Sequence, residues 1–234
     1  MDQPIRIPRN LTALLQLIQR QVTAGAVYWT SDVIPIEKLG GFIERWQPAY
    51  HLRADPPARA YRKRTHKASV HLVVHPDYFD TSNSTVRWWM LSTAGGNGLV
   101  AVSGPKPGPV SDCRTLSGRL RCGDYELLQQ EKAFTDKSGK VKTVTSWTWR
   151  IAPGRYREWE ALLVERAKMR DLEAIHGAFA CLRSMPMFAG IRLQVQRLAV
   201  EANKMSGKVG GQRYELPDLP IMRMVKLWRD DGEV

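Results

Sequence analysis

The chain has 234 residues, 43% apolar and 25% charged, a composition that can bury a real core and excludes wholesale disorder. Its 35 Lys/Arg against 23 Asp/Glu leave a net charge of +12, which points to a polyanionic partner such as DNA or RNA. Three cysteines, Cys113, Cys122 and Cys181, are too few for a disulfide framework or a four-thiolate zinc site; the polar start reads as no signal peptide, no run is long enough to span a bilayer, and a reducing cytoplasm is expected.

In chain order, Asn10 is placed to cap a helix running to about Thr23, with Leu11, Leu14, Leu15, Ile18 and Val22 on one face. Gly25 ends it. Ala26 to Thr30 reads as a short strand, and Pro35 opens a second helix, Ile36 to about Trp46. Asp55-Pro56-Pro57 reads as a loop. Two strands then follow, Arg59 to Thr65 and Ala68 to His75, and Val86 to Thr93 is the next. Residues 94–112, rich in Gly, Pro and Ser, form a long loop. Tyr125 to Lys132 and Val141 to Ile151 read as a hairpin around a polar turn. Helices are expected over Arg155–Met169, Asp171–Arg183 and Phe188 to about Lys204, then a Gly-rich link, Ser206–Gly211, and a last strand, Ile221–Trp228. The expected class is α+β: a mostly antiparallel sheet flanked by N-terminal helices and a C-terminal helical bundle. A division near residue 152 separates the strand-rich part from the helical part, which would pack on the same core.

Charge is concentrated in the middle. Residues 61–150 hold fourteen Lys/Arg against seven Asp/Glu. The run Tyr61-Arg62-Lys63-Arg64-Thr65-His66-Lys67, read as a strand, carries cations on both faces, which suits an edge or a protruding ribbon able to follow a phosphate backbone. Arg62, Lys63, Arg64, Lys67 and Arg87 are the expected phosphate contacts, and Trp88 or Trp89 the stacking platform for an unpaired base. Trp147 and Trp149 share one face of a later strand. Tryptophans on strands also build cores.

His71 and His75 share a strand face but lie four residues apart, roughly 13 Å on an extended chain and too far for one metal without a bulge. Asp77 and Asp80 could add oxygen ligands, yet ordinary hydrogen-bonded histidines are expected. Thr93-Ala94-Gly95-Gly96-Asn97-Gly98 lacks the Lys-Ser/Thr of a nucleotide-binding loop. No nucleophile triad is recognisable, and neither a cofactor nor a metal is expected. In the C-terminal helices, Arg183, Arg192 and Arg197 have the fewest acidic neighbours.

The words Val86-Arg87-Trp88-Trp89-Met90-Leu91, Asp124-Tyr125-Glu126-Leu127, Trp147-Thr148-Trp149-Arg150 and Phe188-Ala189-Gly190-Ile191-Arg192 resemble a group of uncharacterised accessory proteins of proteobacterial plasmids and integrative conjugative elements. The resemblance implies a mobile-element setting and a nucleic-acid role, with no catalytic residues to transfer. The expected function is non-enzymatic binding of DNA or RNA. The alternatives are a metal-independent RNA endonuclease of the CRISPR repeat-processing kind, with His66 or His71 as base, and a subunit of a larger ribonucleoprotein complex.

Overall fold

The computed structural model describes residues 5–76, 84–100, 106–135 and 138–233. The chain is α+β, with helices towards both ends and antiparallel strands between. It forms two compact units. The first comprises Met1–Leu120, Glu131–Trp147 and Val225–Val234, the second Arg121–Gln130 and Thr148–Met224. Neither is one stretch of chain, whereas the sequence reading divides it at residue 152.

The first unit is built on a four-stranded sheet. Its strands are β2 (Tyr28–Pro35), β3 (Val70–Pro76), β4 (Thr85–Ser92) and β5 (Ser111–Asp112), in the order β3-β4-β2-β5. Helix α1 (Leu11–Thr23) starts where expected, with the Ala13 amide donating to Asn10 Oδ1 at 2.9 Å. After a 3-10 turn, helix α2 (Leu39–Tyr50) lays Leu39, Ile43, Trp46 and Tyr50 into one core with Val70, Val74, Val86, Trp88 and Met90. Side chains alternate along a strand, so His71, Val73, Trp89 and Leu91 point to the opposite face, and α1 packs against β3 and β4. A sheet covered on both faces explains why Val86 and Trp88-Trp89-Met90-Leu91 are all buried.

Residues 59–65 are not a strand. Helix α3 (Pro56–Arg64) occupies them, capped by Asp55 Oδ1, which accepts from the Ala58 amide at 2.8 Å. Asp-Pro-Pro is a helix start here: a cap followed by proline in the first turn, where no amide is needed. Alanine and arginine then favour helix over strand. The last strand also differs. It is β9 (Trp228–Glu233), paired antiparallel with a short β1 (Arg6–Pro8) that the sequence reading lacks.

In the second unit, β6 (Arg121–Cys122) pairs with the first part of β7 (Tyr125–Thr135), which lies beside the last part of β8 (Val141–Ile151). Helices α4 (Pro153–Lys168), α5 (Leu172–Arg183) and α6 (Ala189–Lys208) pack on one another. Gln194 of α6 clamps the edge of β8, accepting from the Ile151 amide at 2.7 Å and donating to its carbonyl at 3.0 Å. Gly190 lets α6 approach β8: a Cβ there would sit 2.5 Å from the Trp149 carbonyl oxygen. The α6 helix continues through Ser206 to Lys208, into the segment read as a link.

Candidate nucleic-acid interface

Helix α3 sorts the basic run by face. Arg59 points inward and donates to three backbone carbonyls: Ala54 at 2.9 Å, Leu52 at 3.1 Å and Val70 at 2.6 Å. One turn later Arg62 is only 8% exposed, and its Nε donates to the Ala68 carbonyl at 2.9 Å. Burial lowers the pKa of both, and for Arg59 the neighbouring Arg62 lowers it further while Asp55 offsets part of the shift. Both arginines therefore tie the helix to the start of β3 rather than reaching solvent. Arg62 is thereby removed from the expected phosphate contacts.

The outer residues behave differently. Tyr61, Lys63, Arg64, His66 and Lys67 are all exposed, Tyr61 by 59%. They occupy the last turn of α3 and the link to β3. That link is braced from behind. The Gly96 amide donates to the His66 carbonyl at 3.1 Å, and the Ala68 amide donates to Gly96 at 2.8 Å. Gly95 makes this possible, with φ of +129° and no room for a side chain: a Cβ would lie 2.7 Å from the His66 oxygen. The glycine-rich turn thus holds the basic turn in place.

The two tryptophans cannot act as platforms in this conformation. Trp88 is 1% exposed and Trp89 fully buried, with the Phe42 ring centroid 4.7 Å from that of Trp88. Both sheet faces are covered, which the alternation argument did not anticipate. Arg87 is half-buried, opposite His75 on β3 and Val33 on β2. It lies five residues before Ser92, roughly 17 Å along the strand, whereas the basic turn adjoins the other end, where Lys67 bridges to Gly96. Of the seven expected contacts, the structure brings together Lys63, Arg64 and Lys67.

The exposed ribbon lies elsewhere. Within the first unit, Val141–Thr145 of β8 are exposed on both strand faces, and the preceding Ser138-Gly139-Lys140 is exposed too. A two-stranded ribbon of this kind fits a major groove. Among its described side chains, Lys140 and Lys142 are the cations. Sequence reading placed a hairpin here but gave it no role, although Lys140-Val141-Lys142-Thr143-Val144-Thr145 shows no apolar face to bury.

The histidines are disjoint. His71 is half-buried, and burial, then Arg59 and Arg20, pushes its imidazole down from the ordinary 6.5 to about 3. It is a weak base, poorly matched to abstracting a proton near neutrality. His75 is buried with Nδ1 2.9 Å from the Pro76 carbonyl oxygen. Among the described residues no group of three His, Cys, Asp or Glu side chains is placed to hold a metal; Asp77 and Asp80 fall outside the described residues. All three cysteines are free thiols. No described helix is long and apolar enough to cross a membrane. No family model, curated protein or solved structure matches the chain.

Proposed function

We propose that the chain is a non-enzymatic nucleic-acid-binding accessory protein, with Lys63, Arg64 and Lys67 as backbone contacts and Tyr61 as the exposed aromatic face. One observation carries this reading: these cations share an exposed, braced turn, and residues 56–76 contain no carboxylate to neutralise them. A helix C-terminus attracts cations through its dipole, at about 0.3–1 kcal/mol each. That accounts for Lys63 and Arg64 but not for the exposed Tyr61, nor for Lys67 beyond the helix. Phosphate neutralisation with stacking accounts for all of them. The exposed Lys140 and Lys142 ribbon is a second element suited to a duplex.

The test is fluorescence anisotropy with single-stranded DNA, duplex DNA and hairpin RNA over a salt series, each probe checked afterwards on a denaturing gel. The triple variant K63E/R64E/K67E is expected to lose tenfold or more in affinity. Its log–log salt slope should be smaller by about two to three, since each lost phosphate contact removes about 0.7–0.9. Unchanged affinity and slope would sink this interface. Cleaved hairpin RNA would move the function to the endonuclease class.

A further inference from the structure

The first unit contains a cavity of about 470 Å³ lined by Arg6, Arg20, Arg53 and Arg59, together with His71, Trp228 and several apolar side chains. Among the described residues its lining includes no aspartate or glutamate. The arginines come from β1, α1, the α2–α3 link and α3, so no single stretch of sequence reveals the cluster. None of them belongs to the exposed basic turn.

Gathering the guanidinium groups of Arg20, Arg53 and Arg59 around one space is unfavourable unless something compensates the charge. Arg59 spends its donors on carbonyl oxygens, which satisfies its hydrogen bonds, and Asp55 offsets only part of its charge. Arg53 holds its Nε shielded from solvent without a hydrogen-bond partner among the described residues. Arg20 is exposed at the end of α1, beside the cavity. The field is strong enough that Arg59 and Arg20 add to burial in keeping His71 neutral. A ligand carrying two negative charges on one group would relieve that field. Guanidinium forks match phosphate oxygens in geometry as well as charge. The volume lies within the range of small-ligand sites, about 300–1,000 Å³, and leaves room beside the phosphate for a sugar and a flat ring. Trp228 offers such a ring a stacking face, and Leu52 and Leu72 line the wall with apolar surface.

We infer that this arginine-lined cavity is a binding site for a phosphomonoester attached to a nucleoside: either a free nucleoside monophosphate or the phosphorylated end of a nucleic-acid strand. The site is separate in residues from the proposed backbone interface, and it stands or falls independently of it.

The experiment is titration calorimetry of the full chain with four probes: inorganic phosphate, a nucleoside 5′-monophosphate, and one oligonucleotide with a 5′-phosphate or a 5′-hydroxyl. The variants R20Q and R53Q are titrated alongside K63E/R64E/K67E, each checked for native circular dichroism. Arg59 is left intact because it ties α3 to β3. The expected result is monophosphate binding that weakens at least tenfold in R20Q or R53Q and is retained in the triple variant. An oligonucleotide preference of tenfold or more for the 5′-phosphate would assign the ligand as a strand end. Monophosphate binding without that preference would assign it as a free nucleotide. As a second readout, phosphate binding should raise the His71 pKa, followed by NMR of the imidazole. Absence of monophosphate binding together with no preference for the 5′-phosphorylated over the 5′-hydroxyl strand would overturn the inference. So would binding unaffected by both arginine variants.

Discussion

The inner and outer faces of helix α3 have the same chemistry in sequence and opposite fates in the fold. Arg59 and Arg62 turn inward and serve four backbone carbonyls between them. Lys63 and Arg64, their immediate neighbours, stay in water. The difference follows from helical spacing: residues three apart share a face, so Arg59 and Arg62 meet β3 together while Lys63 and Arg64 are carried round to solvent. Guanidinium suits the inner role, since its planar fork can serve several acceptors at once. A count of positive charges is therefore a poor measure of a binding surface. Part of the charge is holding the molecule together.

That contrast can be tested by substitutions ranked by expected effect. The buried end of the scale is set by the sheet itself. Trp89→Ala, emptying a fully buried site, is expected to cost about 3–5 kcal/mol in urea unfolding. A loss below 1 kcal/mol would mean the indole is not core and would reopen its role as a platform. Arg59→Ala should cost about 3 kcal/mol, because it strands carbonyls that the fold has removed from water; an exposed arginine would cost almost nothing.

His71 gives a smaller, pH-dependent effect. Its folded pKa of about 3 lies below the ordinary 6.5, so the unfolded chain binds the proton more readily. Its contribution to stability is therefore complete above about pH 6.5 and is lost as pH falls towards 3, approaching about 1.4 kcal/mol per pH unit. His71→Gln should flatten that part of the stability–pH profile. An unchanged profile would mean that the imidazole is depressed neither by burial nor by Arg59 and Arg20. The smallest change in stability is expected from the outer face: Lys63→Ala and Arg64→Ala should each stay within about 0.5 kcal/mol of the parent. A larger loss from either would erase the distinction between the faces.

Much of the fold is legible in the residues. The cap at Asn10, the hairpin around residue 138 and the three C-terminal helices follow local rules of spacing, capping and turn chemistry, and local rules survive into the folded chain. The failures share a cause. Asp55-Pro56-Pro57 looks like a loop unless the following alanines and arginines are weighed as helix formers. Trp88 and Trp89 look like one inside and one outside residue unless it is known that α1 and α2 cover both faces of β4. The cluster of Arg6, Arg20, Arg53 and Arg59 is invisible in sequence because its members are brought together only by tertiary packing. What was legible at the basic turn was composition; which of its side chains face water was settled by helix phase.

The two compact units share the strands of one hairpin. Residues 121–130 and 148–224 belong to one unit, 131–147 to the other, so β7 and β8 each pass from one to the other without a break in the strand. Recombination acts on contiguous segments. A crossover anywhere between residues 121 and 224 would deliver an incomplete version of both units, and neither can be copied, swapped or expressed as a single block. Engineered dissections at residue 152 should therefore yield insoluble or unfolded fragments rather than two working halves.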